Sequence, residues 1–175
     1  SAPFDTKPGQ RGLPPPEPPT YAQAVALALP IPGIGPRAVE AILAEMGVDM
    51  GRFPTAGHLT AWAGVAPGNR ESAGKRLSGK TRHGNAALRK ALVQAAHGAC
   101  RAKDTSFKAL YHRIAARRGR KRAIVAVARA ILVVLYYVLR YQEPYRELGE
   151  GYLDERKREE TARHLTQRLR KLGYE

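Results

Sequence analysis

The chain has 175 residues, enough for one ordinary domain with extensions. Thirty lysines and arginines against 15 acids give a formal charge of +15, which predicts a polyanionic partner such as nucleic acid. The single cysteine, Cys100, excludes an internal disulfide framework and a multi-cysteine zinc site, and it favours a reducing, cytoplasmic setting. Without an initiating Met or a signal-peptide layout, Ser1 is expected to mark the boundary of a fragment of a longer protein.

The N-terminal segment is rich in proline, and ten of the 13 prolines fall within residues 1–36. Because proline fixes φ and lacks an N–H group, such a run forms neither a helix nor a central strand. Residues 1–19 are therefore predicted to be an extended linker. The rest divides into a helical domain over residues 20–148 and a charged C-terminal helix over residues 149–175.

Two short helices joined by a glycine turn are predicted next. Thr20 is a good N-cap for the first, and Pro36 suits the first turn of a second helix that ends before Gly47. This pattern predicts a helix-hairpin-helix over about residues 24–47, whose backbone N–H groups can approach phosphate independently of base sequence. A plain turn between two core helices fits the same residues. The candidate phosphate contacts are Gly33, Ile34, Gly35 and Arg37.

The middle of the domain alternates helices with one long loop. Thr55 is expected to cap a short helix. Residues 64–84 contain five glycines and few apolar residues, so they predict a long loop or a small hairpin, exposed beside the helix-hairpin-helix. Asn85 precedes an amphipathic helix over Ala86–Ala102, and Asp104 precedes another helix. These signals together predict an all-α fold.

The segment Ala123–Leu139 is almost unbroken apolar sequence. It is short for a membrane span, and Arg129 near its middle would cost about 2.5–3.5 kcal/mol in a bilayer. The segment is therefore predicted to be the central helix of a bundle. The final helix, about Leu153–Leu172, has balanced charge and an apolar stripe suited to packing on the core or on a second copy.

The positive charge is concentrated in two segments. Residues 70–90 carry seven cations and one acid, and residues 101–122 carry nine cations and one acid. Charge focused in this way is typical of a nucleic-acid footprint, and the second segment is predicted to bind the phosphates of DNA or of a guide RNA. Its candidate contacts are Arg113, Arg117, Arg118, Arg120, Lys121 and Arg122.

Residues 74–81 satisfy the phosphate-loop pattern G-x-x-x-x-G-K-T letter for letter. A nucleotide-binding loop of this kind must follow a buried strand and open a helix. Here Pro67 and Gly68 precede it, and Arg82 and His83 follow it. ATP or GTP hydrolysis is therefore disfavoured.

The same loop places serines among cations. A serine hydroxyl can attack a phosphodiester when its proton is removed and when cations neutralise charge on the phosphorus. From composition alone, a solvated basic loop that only binds phosphate is the simpler interpretation. The candidate phosphate contacts in and beside the loop are Arg70, Lys75, Arg76, Lys80, Arg82, His83, Asn85 and Arg89.

Several ordered motifs resemble one family of DNA-rearranging proteins. The chain resembles, over about residues 24–147, the C-terminal transposase domain of the DEDD-type insertion-sequence transposases. These are the "one-ten" family of bridge-RNA-guided recombinases, related to the Piv invertases. The motifs are Ile31-Pro32-Gly33-Ile34-Gly35, Leu59-Thr60-Ala61-Trp62-Ala63-Gly64-Val65-Ala66-Pro67, Glu71-Ser72, Gly84-Asn85-Ala86-Ala87-Leu88-Arg89, Ala126-Val127-Ala128-Arg129 and Pro144-Tyr145.

The resemblance implies a serine nucleophile that cuts and rejoins DNA through a covalent phosphoserine bond. This role falls on Ser72, with Ser78 as the weaker candidate. Ser78 is followed by glycine, as the family serine often is, whereas Ser72 is followed by Ala73. The resemblance also implies a guide RNA, an assembly of at least two copies, and a separate RuvC-like domain that binds magnesium. The fragment alone is expected to bind nucleic acid without turnover and to need no cofactor of its own.

The histidines and tyrosines suggest other chemistry only weakly. The histidines are scattered without a carboxylate or cysteine at ligand spacing, so no metal site is predicted. The tyrosines of the apolar segment have helical spacing, which favours core packing over a tyrosine nucleophile. The alternative function is a non-catalytic DNA- or RNA-binding module that grips phosphate with its basic loop.

Overall fold

A computed structural model describes residues 17–66, 70–72, 75–78, 84–147, 149 and 152–171. Within these residues the fold is all-α, as predicted, with one small antiparallel hairpin. The elements are α1 (Tyr21–Ala28), α2 (Pro36–Met46), a 3₁₀ turn (Met50–Arg52), α3 (Ala56–Ala63), β1 (Arg70–Ser72), β2 (Lys75–Ser78), α4 (Ala86–Ala99), α5 (Ser106–Arg118), α6 (Arg120–Tyr141) and α7 (Tyr152–Lys171).

The helix boundaries follow local capping chemistry. Thr20 caps α1 through a reciprocal capping box with Gln23, and Thr55 caps α3 by accepting a hydrogen bond from a backbone N–H. Two boundaries differ from the prediction. Helix α4 ends three residues before Ala102, and α5 is capped by the Thr105 side chain, one residue after Asp104.

Helix α6 is the centre of the bundle, as predicted. Helices α1, α3, α4 and α5 all pack against it. Its inward positions, such as Ile131 and Leu132, are fully buried. By length and composition α6 is the one helix among the described residues that could cross a membrane, but 61% of its most apolar window is buried against its neighbours.

Helices α2 and α4 run antiparallel, and backbone contact fixes one end of the pair. Gly33, in the turn before α2, has φ of +75°, and a Cβ built on it would lie 2.4 Å from the backbone of Ala99. A Cβ on Gly98 would lie 2.4 Å from the carbonyl oxygen of Gly33. The glycine turn therefore lies directly against the C-terminal end of α4, which only residues without a side chain allow.

The C-terminal half of α6 holds the 3₁₀ turn in place. The buried Tyr136 hydroxyl donates to the carbonyl oxygen of Phe53 over 3.0 Å. The Arg140 guanidinium donates to the same carbonyl over 3.3 Å and to that of Met50 over 3.4 Å. Burial raises the pKa of Tyr136, and its hydroxyl is occupied in the hydrogen bond to Phe53 inside the core.

The end of the predicted linker belongs to the folded body. Pro19 is buried, and the Gln142 side chain donates a hydrogen bond to the Glu17 carbonyl oxygen over 2.6 Å. Residues 1–16 lie outside the described residues. At the other end of the chain, the described side chains of α7 are exposed, and Leu165 is 55% exposed.

A segment after α6 folds back onto the start of α5. Glu147 accepts hydrogen bonds from the N–H of Ser106 over 2.7 Å and from the Tyr145 hydroxyl over 2.7 Å. Burial acts to raise the pKa of Glu147, but hydrogen bonds from Tyr145 and from the N–H groups of Ser106 and Gly149 outweigh it and lower the pKa overall. Burial raises the pKa of Tyr145. The Pro144-Tyr145 motif therefore fastens the chain to the N-terminus of α5.

Candidate nucleic-acid interface

The long serine-containing loop has a rigid base. Gly64 ends α3 in the left-handed conformation, with φ of +76°. A Cβ built on Gly84 would lie 2.4 Å from the backbone nitrogen of Gly64, so the two glycines bring the ends of the loop into backbone contact. The loop thus projects from one fixed point between α3 and α4.

The loop contains the hairpin of β1 and β2. Its register pairs Ser72 with Lys75 and Ser78 with Arg70, so each candidate nucleophile lies opposite a cationic residue along the backbone. Nothing further is described for the side chains of these strands, including Arg76, and Lys80, Arg82 and His83 lie outside the described residues. A strand over Lys75–Ser78 is not the loop that a nucleotide-binding G-x-x-x-x-G-K-T motif requires.

Asn85 is held by contacts within the fold. Its side-chain oxygen caps α4 by accepting from the N–H of Leu88 over 2.9 Å, and its Nδ2 donates to Glu45 on α2 over 2.9 Å. Both the oxygen and the nitrogen of this side chain, which was predicted to contact phosphate, are therefore hydrogen-bonded within the protein. Arg89, one turn further along α4, is partly exposed.

The four predicted phosphate contacts of the glycine turn differ in their exposure. Ile34 is 6% exposed and belongs to the hydrophobic core, so its side chain is not available to a ligand. Gly33 is committed to the contact with α4. Gly35 and Arg37 are exposed, and a Cβ on Gly35 would meet no atom within 4 Å. Gly33 is exposed on its outer side as well, so the surface of the turn includes Gly33, Gly35 and Arg37.

A basic cluster surrounds the corner where α5 ends at Gly119 and α6 begins. Five of its side chains are exposed and Arg113 is partly exposed. The first turn of α6 contains no acid and has no side-chain cap. Among the described residues, none of these cations makes an ion pair or a hydrogen bond to a side chain. The cluster comprises Arg113, Arg117, Arg118, Arg120, Lys121 and Arg122.

The loop and the basic cluster lie at opposite ends of α4. Asn85, at the loop base, begins the helix, and the glycine turn contacts its other end at Ala99. Fourteen residues at 1.5 Å per residue separate the two ends by about 21 Å. Because α2 and α4 are antiparallel, the loop base is separated from the glycine turn itself, whereas the contact between Asn85 and Glu45 places it beside the C-terminal end of α2, within the predicted helix-hairpin-helix.

One exposed face of α4 connects the two ends, and it was not singled out from the sequence. Three exposed residues of the helix follow one another at intervals of four and three, so they lie on one side of it, and a fourth exposed residue follows four positions later, just beyond the end of α4. Helix α4 contains no acidic residue. The helical spacing could have identified this face. We call it the α4 track, and it consists of Lys90, Gln94, His97 and Arg101.

The described residues contain no group of three or more His, Cys, Asp or Glu side chains able to hold a metal ion. The donors present in this part of the chain thus do not fit a magnesium site.

The fold and these features define a class of protein: an all-α domain that carries a serine- and cation-containing loop on a glycine base. A family model described as the transposase IS116/IS110/IS902 family matches residues 25–112, which is half of the chain. The chain therefore belongs to this transposase family. The matched region runs from α1 into α5 and includes the loop.

Two curated relatives agree with this assignment. The chain is 35% identical over 113 residues to the insertion element IS110 uncharacterized 43.6 kDa protein of Streptomyces coelicolor, covering 63% of the chain and 27% of that protein. It is 32% identical over 120 residues to the transposase for insertion sequence element IS1111A of Coxiella burnetii, covering 66% of the chain and 33% of that protein. The matched part thus spans about a quarter to a third of the length of these relatives.

Proposed function

We propose that this chain is the strand-exchange domain of a DNA transposase and that Ser72 is its nucleophile. The observation that carries the proposal is the loop itself. It lies within the family match, its ends are pinned by Gly64 and Gly84, and its hairpin pairs Ser72 with Lys75. A nucleophile on a fixed base has the positional control that phosphoryl transfer needs.

The proposed reaction conserves the number of phosphoester bonds. The Ser72 oxygen attacks the phosphorus of a DNA phosphodiester, its proton passes to a base, and a serine–phosphorus bond forms. The bond from phosphorus to one deoxyribose oxygen breaks, and that oxygen leaves as a hydroxyl after taking up a proton. Rejoining is the reverse step, in which a deoxyribose hydroxyl from another end attacks the phosphoserine. Cations near the phosphorus stabilise the developing charge.

The surfaces outside the loop support a binding role for the rest of the domain. The α4 track lies on a helix that contains no acidic residue of its own and spans about 21 Å between the loop base and the basic cluster, which is about six base pairs of duplex at about 3.4 Å each. Gly35 and Arg37 offer an exposed backbone and a cation at the same end as the cluster. We propose that phosphates lie along this path while one phosphodiester reaches Ser72.

The proposal extends to the partners that the reaction needs. Exchange between two duplexes requires at least two copies of the nucleophile, so the active form is an oligomer, with the exposed α7 as one contact. The basic cluster is a binding surface for guide RNA or DNA. A separate RuvC-like domain, outside this chain, holds magnesium, and the fragment alone binds nucleic acid in the cytoplasm without turning it over.

Recombination by the parent protein tests the assignment of the nucleophile. Ser72→Ala is expected to lower strand exchange between two plasmid-borne sites by more than about a hundredfold, since the attacking oxygen is lost. Ser78→Ala is the matched control on the paired strand and is expected to retain exchange. Equal loss in both variants with normal DNA binding, or retained exchange in Ser72→Ala, contradicts the assignment.

The second candidate is a non-catalytic nucleic-acid-binding module. It is favoured by the distance between the loop and the basic cluster, since binding through the cluster and the α4 track does not need the loop. Under this alternative Ser72→Ala leaves recombination intact, so the same experiment separates the two functions.

A further inference from the structure

A groove of about 550 Å³ opens between the C-terminal half of α4, the middle of α5 and the first turn of α6. Its floor is apolar and includes Val93 and Ile124. Tyr111 forms one side, and three cations, Arg101, Arg120 and Lys121, lie among the lining residues. The volume falls within the range of about 300–1,000 Å³ that is usual for sites that enclose small organic groups.

The charges of the groove select an anionic ligand. Among the residues that the structure describes, no acidic side chain lines it. The first helical hydrogen bond of α6 runs from the N–H of Ala123 to the carbonyl of Gly119, so the three preceding N–H groups are helix-terminal donors without a helical partner. No side chain caps them. Two of the cations that line the groove, Arg120 and Lys121, thus belong to the same first turn of α6 as the uncapped N–H groups, and both kinds of group bind phosphate.

The aromatic and apolar side chains of the groove favour a ligand in which a flat, largely apolar group is attached to that anion. Tyr111 is partly exposed, and its hydroxyl has no hydrogen-bond partner among the described residues. An aromatic ring beside an apolar floor is a stacking surface for a nucleobase. A base paired inside a duplex cannot enter such a groove, because its faces are covered by its neighbours and it must first leave the stack.

Resting on the proposed function, we propose that this groove binds one unpaired nucleotide of a DNA or RNA strand. The base lies against Tyr111 and the apolar floor, and its phosphate lies between Arg101, Arg120 and Lys121. The groove continues the α4 track, since His97 and Arg101 belong to both. A strand that follows the track from the loop thus reaches a site that distinguishes unpaired from paired nucleotides.

Cys100 makes the proposal directly measurable. It lines the groove, it is the only cysteine of the chain, and it is partly exposed. Burial raises the pKa of this thiol, so a maleimide reaction is followed above neutral pH to obtain enough thiolate. The full chain is alkylated alone and with four saturating probes of equal length: single-stranded DNA, single-stranded RNA, duplex DNA and an abasic DNA strand.

The proposal predicts that an unpaired strand slows alkylation of Cys100 by about tenfold or more, whereas an abasic strand of equal charge and a duplex of higher charge do so weakly. The stronger of the DNA and RNA effects identifies the source of the nucleotide. Tyr111→Leu is expected to lose this protection and to keep salt-sensitive duplex binding, while Tyr111→Phe keeps both. Circular dichroism confirms that each variant is folded.

Three outcomes overturn the proposal. Equal protection by the abasic strand means that the groove binds phosphate alone. Tight single-strand binding without protection of Cys100 removes the groove and leaves the proposed function intact. Failure of the chain to bind any of the four probes removes the nucleic-acid-binding role together with the groove.

Discussion

Single residues in this domain are fixed by contacts that the local sequence does not reveal. Gly84 and Asn85 look like loop residues placed to meet phosphate. In the structure Gly84 touches the backbone of Gly64, and Asn85 bridges the start of α4 to Glu45, forty positions earlier in the chain. Their primary role is to hold the base of the loop.

The loop base predicts a contrast between two glycines. Gly84→Ala places a Cβ 2.4 Å from backbone that cannot move freely, so we expect a loss of about 1–3 kcal/mol in the free energy of unfolding. Gly35→Ala meets no atom within 4 Å at a negative φ and is expected to cost less than about 1 kcal/mol. Urea denaturation measures both. Equal losses would mean that the contact between Gly84 and Gly64 contributes nothing.

Glu147 predicts a pH dependence of stability. Its folded pKa lies below the unfolded value, so its contribution is fully present above the ordinary glutamate pKa of about 4.3 and is lost as the pH falls through the folded value. The wild-type chain should therefore lose more stability between neutral and acid pH than Glu147→Gln. Thermal melts across that range test this, and parallel profiles for the two proteins would refute it.

At the scale of elements, features set by residues close together in sequence could be predicted, whereas features set by contacts between distant segments could not. Thr20, Pro36 and Thr55 mark helix starts because capping acts within one turn, and the α6 segment is identifiable because its apolar run is longer than any exposed helix allows. The burial of Ile34 depends on α2 meeting α4, which no local pattern contains. The same antiparallel packing separates the glycine turn from the loop.

The corner between α5 and α6 predicts a change in salt dependence. Neutralising Arg117, Arg118 and Arg120 together should weaken DNA binding and lower the slope of log affinity against log salt by about three, because up to three phosphate contacts are lost. The matched control removes three exposed cations from α7, in Arg168→Ala, Arg170→Ala and Lys171→Ala. This control variant changes the net charge by the same amount as the first variant and should leave the slope nearly unchanged.

Fluorescence anisotropy at several salt concentrations gives both slopes. If the two triple variants lose the same slope, net charge rather than the corner governs binding. If neither variant lowers the slope, the basic cluster makes no phosphate contact.

At the scale of the whole molecule, the proposed binding surface and the proposed nucleophile lie toward opposite ends of α4. The basic cluster and the groove lie at one end of α4, and the serine-containing loop begins at the other. The family match covers the loop, the glycine turn and α4 together, which agrees with one continuous working surface. We infer that nucleic acid is gripped at one end so that a phosphodiester about six base pairs away reaches the loop.

A covalent protein–DNA adduct is the most direct test of this account. The parent protein is incubated with magnesium, its cognate RNA and a nicked DNA substrate whose cleaved fragment diffuses away, and the adduct is mapped by mass spectrometry. The account predicts a phosphodiester link on Ser72 that disappears in Ser72→Ala. An adduct on Ser78 would contradict the choice of residue, and no adduct alongside intact salt-sensitive binding would contradict the serine mechanism in favour of the binding module.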